Sequence, residues 1–73
     1  MNLSLSTSSE SILSIREVLV LRLISEGCSV TDISALLTLP INTVELYRKN
    51  IREKLKVHYT AEAVYKARLL NLI

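Results

Sequence analysis

Apolar and polar positions recur along this chain with the period of a helix, in four blocks. The clearest block runs from Pro40 to Val57, PINTVELYRKNIREKLKV. At about 100° per residue, Val44, Tyr47, Ile51 and Leu55 gather on one side. Glu45, Lys49, Arg52 and Lys56 gather on the other, with Arg48 and Lys54 on the flanks. One side asks for a core and the other presents cations. Taken alone, the same stripe also describes an ordinary surface helix with a solvated basic side.

The blocks before it carry start and stop signals. Ser14 followed by Glu17 forms a capping box, with Leu13 and Val18 placed for the accompanying hydrophobic staple. The helix so opened is predicted to run to about Glu26 and to stop at Gly27, the single glycine of the chain. Glu17, Val20, Leu21 and Ile24 mark one face of it. Ile15, Val18, Leu19 and Leu23 add more apolar surface than one face can hold, for contact with the last helix or with a partner.

Ser29 with Asp32 repeats the capping pattern and starts a short second helix, with Ile33, Leu36 and Leu37 facing inward and an end near Leu37. Thr38-Leu39-Pro40 then connects to the basic block. Pro40 suits the first helical position but has no side-chain oxygen to cap it, which leaves the task to Asn42, Thr43 or a phosphate. A short capped helix, a connection of about three residues and a second helix with a basic outer side is the helix-turn-helix arrangement. A fourth helix is predicted after Val57-His58-Tyr59, capped by Thr60 and ending near Leu70. Ala63, Ala67 and Leu70 lie on one side of it, and Ala61, Tyr65, Leu69 and Leu72 gather near another. Residues 1–12 are rich in Ser and Thr without a sustained period and read as a disordered arm. The expectation is an all-α domain over residues 13–73.

Composition sharpens this picture. One Gly and one Pro in 73 residues favour helices with short connections over a sheet. The net charge is only +2, but residues 41–73 hold seven basic groups against three acidic ones, while residues 1–40 hold two against four. That asymmetry turns one end of the molecule toward a polyanion such as double-stranded DNA. A hydrophobic content of 49% exceeds what so small an interior absorbs, and an association surface is the usual reason. Self-association through the fourth helix is the economical outcome, since two-fold dimers dominate soluble oligomers.

Other classes find little support. One His, one Cys and no glycine-rich loop leave nothing to serve an enzyme, a metal or a cofactor, and none is expected. His58 reads as a solvated turn residue and Cys28 as a small buried filler. A single cysteine excludes an internal disulfide and suits a reducing cytosol. No apolar run reaches the length of a membrane span.

Three stretches, LSIREVLVLRLISEGCSVTDISALL, TVELYRKNIREKLKV and EAVYKARLLNLI, together resemble the LuxR/GerE-type DNA-binding domain, which also closes the NarL/FixJ class of response regulators. The resemblance runs from Leu13 to Ile73. It rests on an ordered set: Arg16-Glu17, Gly27, Ile33, Leu36/Leu37, Thr43-Val44, Asn50-Ile51, Lys54-Leu55, Val57 and Glu62-Ala63-Val64. It implies a four-helix helix-turn-helix domain whose third helix reads DNA and whose fourth forms the dimer contact. Members bind half-sites near promoters and recruit or block RNA polymerase. Most carry a sensory or receiver domain upstream; this chain is similar to the small stand-alone members or to a fragment of a longer regulator, and its initiating Met and non-domain arm favour the first.

By position, the resemblance implies Glu45, Leu46 and Lys49 at base edges, with Lys49 able to donate to guanine. Arg48, Arg52, Lys54 and Lys56, with Thr43, are implied at phosphates, and Ser29 and Thr31 add hydroxyl and helix N-terminal contacts. Ala61, Tyr65, Arg68, Leu69 and Leu72 are the expected dimer surface. Four residues depart from the family's usual pattern: Glu45 where Lys is usual, Pro40 for Ser or Thr, Tyr47 for His, and Thr60 for Arg. Facing phosphates, Glu45 costs about 1 kcal/mol of repulsion. Facing bases, it accepts from cytosine, or pairs with Lys49 and orients it. The competing function is an interaction protein that keeps the fold and heterodimerises with a larger LuxR-type regulator without reading DNA.

Overall fold

The computed structural model describes residues 12–73, and among them four helices and no strand: α1 (Ile15–Ser25), α2 (Val30–Leu37), α3 (Ile41–Leu55) and α4 (Thr60–Leu69). The fold is all-α, in the predicted order. The arm expected over residues 1–12 lies outside the described residues except for Ile12, which is exposed. No described helix is long and apolar enough to cross a membrane.

Local chemistry sets the helix starts. The Ser14 hydroxyl accepts from the Glu17 N–H at 3.1 Å while the Glu17 carboxylate accepts from the Ser14 N–H at 2.8 Å. Ser29 and Asp32 repeat this at 3.1 and 3.0 Å. Two starts differ from expectation. Pro40 is the capping residue rather than the first helical one: its φ of −60° suits either position, but its ψ of 148° is extended, and its carbonyl takes the N–H groups of Thr43 and Val44. Thr60 is the first helical residue of α4 rather than its cap. The Glu62 carboxylate accepts from the N–H groups of both His58 (3.0 Å) and Tyr59 (3.1 Å), so the entry to α4 is satisfied from within the helix and the Thr60 hydroxyl is released for other work.

All four helices stop in the same way. At each end a residue in the left-handed region (Gly27, Thr38, Lys56 or Asn71) turns the chain, and the following N–H bonds back across the last turn. Cys28 bonds to the Leu23 carbonyl, Leu39 to Ser34, Val57 to Arg52 and Leu72 to Ala67, at 2.8–3.0 Å. Each of those four following residues is apolar and packs against the core. For Gly27, at φ 98°, backbone conformation is the whole requirement, since an added Cβ would meet nothing within 4 Å.

The core comprises Leu13, Val20, Leu21, Ile33, Val44, Ile51, Leu55, Ala63 and Ala67. The longest helix, α3, packs against each of the other three, and α4 closes over α1 and α3 on the two alanines. The first helix buries the face expected of it, Glu17, Val20 and Leu21, with Ile24 half-buried. Its surplus divides. Val18 and Leu23 pack partly against the core, whereas Ile15 at 88% exposure and Leu19 stand outside it. Two inward expectations are corrected. Leu36 is exposed, because the inward side of this eight-residue helix is formed by Val30, Ile33 and Leu37. Leu70 is exposed as well, since the turn at Asn71 sends Leu72 and Ile73 to the core in its place. Cys28 is half-buried rather than enclosed.

Among the described residues Glu17 is the one charged residue buried in this interior, at 4% exposure. Besides the Ser14 N–H, its carboxylate accepts from the Lys54 ammonium at 2.9 Å, tying the start of α1 to the last turn of α3. A second lysine, Lys66 of α4, donates to the Leu55 carbonyl at 2.7 Å and satisfies the end of α3.

Burial by itself would raise the pKa of Glu17. The Lys54 hydrogen bond, the Ser14 N–H, the charge of Lys54 and the Ser14 hydroxyl together outweigh it, and hold the carboxyl below its ordinary 4.5. A depressed folded-state pKa contributes stability above the unfolded value and loses it as pH falls through the folded one. Urea unfolding should therefore show stability declining as pH falls below about 4.5, with Glu17→Gln less stable at pH 7 and flatter across that window. At the α2 end, Thr38 holds a β-branched side chain at φ 56°. Thr38→Asn should raise stability by about 1 kcal/mol, seen as a higher denaturation midpoint.

Candidate nucleic-acid interface

Fifteen residues of α3 make a rod roughly 22 Å long, enough to lie across a major groove about 12 Å wide. Val44, Ile51 and Leu55 anchor it, with Tyr47 half-buried beside them. Its outward side carries Asn42, Glu45, Leu46, Lys49 and Glu53, all exposed, with the exposed Lys56 in the turn just past its end. The three residues expected at base edges, Glu45, Leu46 and Lys49, thus share one uncovered strip. Leu46 is 55% exposed there, an apolar surface of the kind that meets a thymine methyl.

The cations of α3 divide among three settings. Lys49 and Lys56 face outward and have no ion-pair partner among the described residues. Lys54, expected at a phosphate, sits on the flank toward α1 with its ammonium on Glu17. Arg48 and Arg52 sit on the flank toward α4, where both guanidinium groups reach the Thr60 hydroxyl, at 3.2 and 3.4 Å. Arg48 also donates to Glu45 at 3.0 Å. Glu45 is therefore paired three residues ahead, with Arg48, and not four ahead with Lys49. A carboxylate on the reading strip is drawn to its edge, and Lys49 is left unencumbered.

The short helix α2 packs against this helix. Thr31 is exposed, and the Ser29 hydroxyl, which accepts from Asp32, retains its own O–H for donation. Asp32 is held below its usual pKa by the Ser29 N–H and then by the Ser29 hydroxyl, so it stays anionic in its capping role. Thr43 is half-buried on the Lys54 flank. The N-terminus of α3 has no side-chain cap, so neither Asn42 nor Thr43 supplies what Pro40 lacks.

The expected dimer residues occupy a separate surface. Ala61, Tyr65, Arg68 and Leu69 are exposed on α4. Tyr65 and Leu69 line an open groove with Val57, Ala61, Glu62 and Lys66. Leu72 is half-buried against the domain's own core, because the turn at Asn71 folds it back. His58 is exposed in the turn before α4. Sequence reasoning missed the role of Thr60, since a hydroxyl shared by two arginines eight and twelve residues away leaves no local signal.

A short helix bracing a longer one, whose exposed side carries cations and whose inner side builds the core, defines the helix-turn-helix class of DNA-binding domain. Residues 11–67 match the family described as bacterial regulatory proteins, luxR family. The chain belongs to that family, and is a helix-turn-helix DNA-binding regulator in general character.

Removing Lys54 leaves Glu17 buried without its cation. Lys54→Met should cost about 2 kcal/mol of folding stability, less than for a fully buried pair because the Lys54 side chain is 43% exposed. Denaturation of the free protein checks this; unchanged stability would return Lys54 to a purely surface role.

Proposed function

We propose that this protein is a sequence-specific transcriptional regulator that lays α3 in the DNA major groove and dimerises through α4. The uncovered strip of Glu45, Leu46 and Lys49 between structurally committed flanks carries this reading. Lys49 donates to guanine O6 or N7, and Leu46 meets a thymine methyl. Arg48, Arg52 and Lys56, with the hydroxyls of Ser29 and Thr31, hold phosphates and set the register. The exposed Tyr65 and Leu69 support the dimer, whose half-sites would lie one helical turn apart, about 34 Å.

A second reading has one observation in its favour. Glu45 on the reading strip opposes phosphates, as suits a chain that heterodimerises with a larger regulator of the same type and leaves base reading to it. Gel retardation of promoter fragments at low salt separates the two. Complexes that weaken steeply as salt rises support the first reading, and no retarded fragment supports the second.

Two further outcomes test the residue roles. Lys49→Ala should relax preference at one base position by about 1–3 kcal/mol, whereas Arg52→Ala should weaken binding to all sequences alike. Leu69→Asp should yield a monomer in analytical sedimentation, and an unchanged dimer would move the interface away from α4.

A further inference from the structure

Thr60 offers the most specific unexplained feature outside the reading strip. Its hydroxyl oxygen accepts from Arg48 of one helical turn and from Arg52 of the next, at 3.2 and 3.4 Å. A threonine hydroxyl has two acceptor lone pairs and one O–H. With both lone pairs facing guanidinium groups, donation is the one capacity left to it, and that O–H has no acceptor among the described residues. Two guanidinium groups that would otherwise repel each other are thus held side by side, with a third donor between them. A carboxylate already touches this cluster: Glu45 accepts from the Arg48 Nη1 at 3.0 Å.

We propose that Arg48, Thr60 and Arg52 form a single three-donor site for one phosphodiester group, with Thr60 as the residue that positions both arginines. The inference rests on the DNA-binding reading above and extends it from separate cationic contacts to one built site spanning α3 and α4. The anion-binding N-terminal end of α4 is already occupied by its own Glu62 carboxylate, so the site stands on the two guanidinium groups and the hydroxyl, not on the helix terminus. On binding, a phosphate takes the place of Glu45 at Arg48 and accepts from Arg52 and from the Thr60 O–H. Charge-assisted bonds of this kind are short and directional, so an arginine pair fixed in place sets register better than two free ones.

The test compares Thr60→Val, Thr60→Ala and Thr60→Ser with the unaltered protein, after thermal melts establish that each is folded. Duplex affinity is measured across a range of salt, and the arginine side-chain resonances of labelled protein are followed during titration with inorganic phosphate. Thr60→Val and Thr60→Ala should bind every duplex about tenfold more weakly with base preference unchanged, and Thr60→Ser should restore affinity. Phosphate should move the Arg48 and Arg52 signals together in the unaltered protein and lose that concerted response in Thr60→Val. Wild-type affinity in Thr60→Val, or phosphate leaving both arginine signals in place, overturns the proposal. If the unaltered protein retards no duplex yet phosphate still moves both signals together, the site stands and the DNA-binding reading falls.

Discussion

Everything that α3 presents to its surroundings depends on how the buried Glu17 carboxylate is satisfied. At 4% exposure it is a charge in an apolar interior, tolerable only with good partners, and Ser14 and Lys54 supply them from two directions. The same carboxylate closes the capping box that starts α1 and fixes the last turn of α3 against it. With Lys66 holding the Leu55 carbonyl from the other side, α3 is secured against rotation about its own axis at its C-terminal end. A turn of α3 by one residue, about 100°, would bring Asn50 or Arg52 to the buried place of Ile51, so this pinning decides which residues meet a ligand.

A domain this small cannot rely on core volume alone, and the helix ends supply part of what is lacking. Its helices have 8 to 15 residues, lengths at which an isolated helix is marginal in water. Two begin with a reciprocal bond between the capping serine and a Glu or Asp in the first turn, and α4 begins with its Glu62 carboxylate accepting from the N–H groups of His58 and Tyr59. All four end in a left-handed turn whose next residue packs on the core. Each connection therefore adds apolar contact as well as closing the backbone, which lets three of the helices be short. The exception at a helix start is α3, whose Pro40 provides no cap.

Charge is spent in an orderly way on this frame. Two lysines of the basic C-terminal half, Lys54 and Lys66, work inside the domain. Arg48 and Arg52 are drawn together at the α3–α4 junction by one hydroxyl. Lys49 and Lys56 remain outward and unpaired among the described residues. The net charge of +2 thus understates how strongly one face can attract a polyanion, because internal pairing and surface presentation are assigned to different residues.

The residues by themselves determined the four helices, most of their starts and stops, and the buried stripe of α3. Those features arise from interactions within about four positions, such as Ser14 with Glu17, or from the 3.6-residue period that placed Val44, Ile51 and Leu55 together. The family, too, was legible in the ordered set of such local signals. Tertiary structure alone decided which cation does what. Lys54 met a carboxylate 37 positions away and Arg48 a hydroxyl 12 positions away, and Glu45 turned to Arg48 instead of Lys49. It also decided that the Thr60 hydroxyl would serve two arginines of α3, and that Leu72 would turn inward while Leu70 did not. Period and propensity set which side of a helix a residue occupies, but its partner depends on the helix that arrives opposite, and that is fixed only when the whole chain packs.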